Sequence, residues 1–148
     1  STVFNLAGEG STLNNVNNDG EDYVALAFSE VEGFSKFGTY DGNGSNTDGP
    51  FIYLGFRPAF FLLKMTTTNG YNWHIFDSTR SSFNVVNDAL RPNLDDAEVA
   101  DYGSANILFC ANGVKLNANW LNLNRDGDTF AYAAFAEHPL QANGGLAR

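Results

Sequence analysis

Two glutamates are the first candidates for chemistry, because each closes one copy of a repeated stretch. The first copy reads Asn17-Asn18-Asp19-Gly20-Glu21-Asp22-Tyr23-Val24-Ala25-Leu26-Ala27-Phe28-Ser29-Glu30. The second reads Asn124-Arg125-Asp126-Gly127-Asp128-Thr129-Phe130-Ala131-Tyr132-Ala133-Ala134-Phe135-Ala136-Glu137. The offset is constant, so Tyr23 falls on Phe130 and Glu30 on Glu137. A glycoside hydrolase needs two carboxylates about 5–10 Å apart in a cleft. Equivalent ends of two related strands are better explained by shared ancestry or shared edge geometry, so the pair alone does not imply turnover. The repeat predicts matching boundary strands of one closed β-unit, close together in the same sheet.

The other reactive side chains are sparse. Asp41, Asn43 and Ser45 have the one-three-five oxygen spacing of a calcium loop, but Asn46 stands where glycine is expected and Ile52 where the bidentate glutamate belongs. A solvated turn is the expected reading, with calcium as the one cofactor that the spacing suggests. Asp95, Asp96, Glu98 and Asp101 form an acidic run of the kind that usually marks an exposed loop. His74 and His138 have no ligand at metal-site spacing, and Cys110 between Phe109 and Ala111 reads as a small buried hydrophobe. No serine sits in a Gly-x-Ser-x-Gly elbow, and no glycine loop with lysine is present to cradle phosphate. The chain therefore reads as non-enzymatic. Exposed aromatics stack on sugar rings in lectins, which makes Tyr40, Asp41, Asn43, Trp73 and Trp120 the candidate contacts to a glycan or partner.

These residues must be positioned by β-structure. Residues 23–30 are apolar on both faces and predict a strand in the middle of a sheet or beneath another layer. Further strands are expected at 34–40, 51–55, 59–66, 71–76, 105–110, 114–117 and 130–136. A loop at 41–50 and hairpin turns at Asn69-Gly70 and Asn112-Gly113 separate them. The polar middle, 77–101, suggests a short helical turn near 85–90 before Pro92. Many short strands with turn signals predict an all-β fold, an antiparallel β-sandwich or jelly roll with little or no helix. One domain spans 1–148, with an N-terminal arm at 1–12, a core of about 22–139 and a C-terminal tail at 141–148.

Composition agrees with that class. The chain is 43% hydrophobic and 14% aromatic but only 17% charged, so Asn, Ser, Thr and Gly must cover much of its surface. A formal charge of −9 argues against nucleic-acid binding, which needs a basic footprint, and against anionic membrane surfaces. No leader pattern is visible and no apolar run approaches a transmembrane span, so membrane insertion is not expected. One cysteine excludes an internal disulfide. Stability must come from packing, oligomerisation or docking on a partner.

Several phrases occur together in order. They include Glu32-Gly33-Phe34-Ser35-Lys36-Phe37-Gly38-Thr39-Tyr40, Asp48-Gly49-Pro50-Phe51 and Gly55-Phe56-Arg57-Pro58-Ala59. Asn72-Trp73-His74-Ile75-Phe76-Asp77, Asn112-Gly113-Val114-Lys115-Leu116 and Ala134-Phe135-Ala136-Glu137-His138-Pro139 follow. Over roughly residues 22–139 the chain resembles an uncharacterised β-rich domain of tailed-bacteriophage virion proteins, especially phages of marine bacteria and cyanobacteria. Its shape is similar to concanavalin-like or SPRY-like sandwiches. The resemblance implies a place on the exterior surface of a phage particle and supplies no catalytic residues. It points to a capsid decoration, knob or cement protein, or to a small tail or fibre component. The expected partners are the major capsid protein or a tail or fibre protein, and further copies of this chain in a homo-oligomer, three-fold rather than monomeric. The alternative is a lectin-like module that binds a host surface glycan for adsorption.

Overall fold

The computed structural model describes residues 20–102, 105–118 and 120–139. The expected arm at 1–12, the tail at 141–148 and the start of the first repeat copy lie outside the described residues. Among the described residues the chain forms β1 (Ser35–Asp41), β2 (Phe51–Tyr53), β3 (Pro58–Met65), β4 (His74–Asp77), β5 (Ile107–Cys110) and β6 (Gly113–Leu116). A single helical turn, α1 (Leu121–Asn124), precedes β7 (Thr129–Ala136). The strands build two antiparallel sheets, ordered β1-β7-β3-β4 and β2-β6-β5. The fold is all-β and antiparallel, as the spacing of strands and turns predicts.

Alternation decides which side chains meet between the sheets, because successive residues of a strand face opposite ways. Tyr40, Phe61, Leu63, Met65, Phe76, Phe130 and Ala134 are buried from the larger sheet. Ile52, Leu54, Ile107, Phe109, Val114 and Leu116 close over them from the smaller one. Tyr40 stacks on Phe130, ring centroids 5.0 Å apart and nearly parallel, and its hydroxyl donates to the Leu123 carbonyl. The larger sheet is apolar on its outer face too. There Phe135 is ringed by Phe34, Phe37 and Phe60 with centroids about 6 Å away.

Three expectations need correction. Residues 23–30 are not a strand: they run exposed along the surface, and residues 24–28 make no hydrogen bond among the described residues. A strand exists only where a neighbour takes its amides, and the place between β1 and β3 is filled by the second copy, β7. The two copies are close, with Phe28 and its equivalent Phe135 in ring contact at 5.9 Å, but they do not share a sheet. Second, residues 85–90 form no helical turn. The Val86 amide donates to Ile107, Ala89 pairs with Val99, and Leu90 exchanges both backbone bonds with Ile75. Pairing with existing strands overrides local helical preference here. Third, β4 begins at His74 rather than at 71.

The two flanks of the sandwich therefore differ. On one flank Leu90 covers β4 at Ile75, while Val86 and the Asn84 side chain, bonded to both the amide and carbonyl of Phe109, cover β5. On the other flank β1 and β2 are the outermost strands.

Candidate functional site

The open flank contains a cleft of about 740 Å3 between β1 and the turn after β2. Glu30, Glu32, Lys36, Tyr53 and Phe56 line it. The cleft exists because the chain reverses sharply into β1. The Val31 carbonyl accepts from both Phe34 and Ser35, and Gly33 takes a left-handed φ of 70° that side chains disfavour. Lys36 projects over the cleft with its ammonium 5.2 Å from the centre of the Tyr53 ring. Tyr53 and Phe51 face solvent because Ile52 and Leu54 between and after them face the core. The apolar alternation at 51–54 is the sequence signal for an outward Tyr53; nothing in the sequence pairs it with Lys36.

The repeated glutamates have separate structural duties. Glu30 accepts a hydrogen bond from the Phe37 amide at 3.1 Å, while Glu137 pairs with Arg57 at 2.8 Å. Glu30 thus satisfies an edge amide within β1, and Glu137 ties the end of β7 to the residue before β3.

Of the five candidate contact residues, Tyr40, Asn43 and Trp120 meet α1, Asp41 closes β1 and Trp73 precedes β4. Tyr40 is buried on Leu123, as described. Asn43 donates to the Asp48 carbonyl, and its own side-chain oxygen accepts from the Ser45 amide. Its amide and side chain also bond the side chain of Asn124, which is fully buried and reaches the Ser45 and Ala118 carbonyls as well. Asn124 therefore clamps the 41–50 loop, a role with no signature in the sequence. Gly49 in that loop abuts the Leu116 carbonyl so closely that a Cβ has no room. Asp41 accepts from the Thr129 hydroxyl at 2.7 Å, which ties the end of β1 to the start of β7. These bonds use the loop oxygens that a calcium ion requires, and no group of three or more metal-ligating side chains occurs among the described residues. Trp73 stays exposed at its ring while its amide donates to Asn93. Trp120 packs on Tyr102 at 3.8 Å and edge-on to His74 at 5.0 Å.

His74 sits in this aromatic nest, almost wholly buried, and neither ring nitrogen completes a hydrogen bond. Burial, helped by the positive charges of Arg91 and Lys64, pulls its pKa down to about 4; the nearby Asn72 backbone opposes this. The ring is neutral at physiological pH. The acidic run is distributed rather than clustered: Asp96 pairs with Arg91, Glu98 with Arg80, and Asp101 accepts from Asn87. Arg80 also bonds the Ile75 and Asp88 carbonyls and the Asp77 carboxylate, which locks the 77–101 stretch onto β4. Cys110, next to the buried Phe109, is half-buried and unpaired.

The chain matches, over residues 1–139, the family described as a domain of unknown function (DUF7483), and it belongs to that family. No curated protein and no solved structure matches it.

Proposed function

We propose that this member of the DUF7483 family is a non-enzymatic assembly and binding module of a bacteriophage virion exterior, a capsid decoration or knob protein or a small tail or fibre component. The observation that carries the assembly part is the exposed apolar segment before β1. Val24, Leu26 and Phe28 are largely exposed, and Phe28 lies against Phe37 and Phe135 on the outer face of the larger sheet, where Phe34 is exposed as well. Exposed apolar surface of this kind marks a contact site. The phage assignment rests on the sequence resemblance alone. Mass spectrometry of purified particles from a phage that encodes the chain tests it: stoichiometric recovery supports the reading, and absence from purified virions refutes it.

The cleft favours a second reading, a glycan-binding module for host adsorption. Carboxylates that accept from sugar hydroxyls and an exposed tyrosine ring that stacks on a sugar face are the groups a lectin uses. Glu32, without a hydrogen-bond or ion-pair partner among the described residues, and Tyr53 supply both. Calorimetry against host surface polysaccharide, with Tyr53→Ala as control, checks it; no heat at millimolar sugar refutes it.

A further inference from the structure

We infer that residues 24–28 are a donor strand, which adds to the outer edge of β1 in a second copy of this chain. This deepens the assembly part of the proposed function and rests on it. It is tested on purified protein alone, so its outcome is independent of whether the protein is found in virions.

The donor half is a strand without a sheet. Residues 23–30 repeat β7, the strand that pairs on both sides in the larger sheet. Yet Val24 is 92%, Leu26 80% and Phe28 65% exposed, and the backbone of 24–28 has no hydrogen-bond partner among the described residues. A segment with the pattern of a central strand and unsatisfied amides is a template for pairing.

The acceptor half lies on the same flank. At either end of β1 the Phe34 carbonyl accepts from Ala136 of β7 and the Gly42 amide donates to Asp128 just before β7, and the register between them assigns the even-numbered residues to β7. Ser35, Phe37, Thr39 and Asp41 therefore turn their backbone groups outward. Ser35 is satisfied by Val31 and the Phe37 amide by Glu30. Thr39 and Asp41 have no backbone partner on that side among the described residues.

A second copy is the occupant because the chain's own segment is diverted from its own edge. Val31 and Ser35 exchange both backbone bonds across the turn, so the next pair within the chain is Ser29 with Phe37. Side chains already hold those two places: the Ser35 hydroxyl donates to the Ser29 carbonyl, and the Glu30 carboxylate takes the Phe37 amide. The segment leaves its own sheet, while the edge beyond Phe37 has no backbone partner among the described residues. Donation around a closed ring, reciprocal between two copies or cyclic among three, pairs every 24–28 segment with a β1 edge.

The test is the mass of the full 148-residue chain in solution by light scattering, with amide hydrogen exchange of residues 24–28. The wild type is expected at two or three chain masses, with those amides protected. Leu26→Lys places a charge on an exposed donor side chain, and Thr39→Pro removes an outward amide without touching the β1–β7 ladder. Each alone is expected to lower the assembled fraction at least tenfold and to expose 24–28 to exchange. Mixing the two variants is expected to restore hetero-assemblies, because one intact donor and one intact acceptor remain. Leu26→Lys is on the surface, so it reads out the proposal even if Thr39→Pro does not fold. A monomeric wild type overturns the inference, whether 24–28 exchange freely or are protected by closing on their own β1. Assembly that survives Leu26→Lys overturns it as well.

Discussion

The two copies of the repeat show how far similar sequences diverge when one finds strand partners and the other, among the described residues, finds none. In β7, Phe130 is fully buried against Tyr40, and backbone pairing runs to β1 on one side and β3 on the other. In residues 23–30 a comparable run of aromatic and small residues lies exposed, with Phe28 resting on Phe37 and Phe135 and Ser29 and Glu30 bonded to Ser35 and Phe37. The turns that precede them differ in the same way. Asp128 accepts hydrogen bonds from the Thr67 and Thr68 hydroxyls, whereas its counterpart Glu21 is exposed. Strand propensity is thus a capacity for pairing, realised only when another strand supplies the partner.

Truncation at equivalent positions separates the two copies most strongly. Phe130→Ala should destabilise the fold by about 3–5 kcal/mol, the usual cost of deleting a buried phenylalanine. Phe28→Ala should cost less than about 1 kcal/mol in dilute protein, since most of its ring is already in water. Urea denaturation of both variants checks this, and equal losses would show that the first copy is as integral as the second.

Acid separates the halves next. Because the folded pKa of His74 is about 4 and that of the unfolded ring about 6.5, the unfolded state binds the extra proton between those values. Its contribution is complete above the unfolded pKa and is lost as pH falls from about 6.5 to about 4, on the order of 3 kcal/mol at most. Thermal melts across that range should fall with pH, and His74→Phe should flatten the profile. Hydrogen exchange of 24–28 should not follow the same titration.

Smaller effects test the matching turns and strand ends. Asp128→Asn should lower the melting midpoint measurably, because it weakens the acceptor for two hydroxyls and removes the charge facing Arg125; Glu21→Gln should not. Glu137→Gln breaks a half-exposed ion pair with Arg57 and should cost no more than about 1 kcal/mol. Glu30→Gln keeps an oxygen for the Phe37 amide and should be close to neutral by the same denaturation assay.

Much of the architecture is legible along the chain. Alternation in 34–40, Asn112-Gly113 and the apolar run of 130–136 all mark elements that form where expected. The site is less legible. Lys36 meets Tyr53, and Asn124 meets Asn43, across gaps that no local pattern spans. Trp120 and Tyr40 read as surface aromatics by type alone, yet the position of α1 turns one into the nest around His74 and the other into the core.

The class of structure follows from local features of the chain: short alternating strands, glycine and asparagine turns, too little charge for a helical surface, and one strand pattern written twice. Which copy became a strand depends on pairing between distant parts of the chain. Periodicity is local, whereas a strand's hydrogen bonds are made to residues far away in the chain. The sheet between β1 and β3 has one place to fill, and β7 holds it.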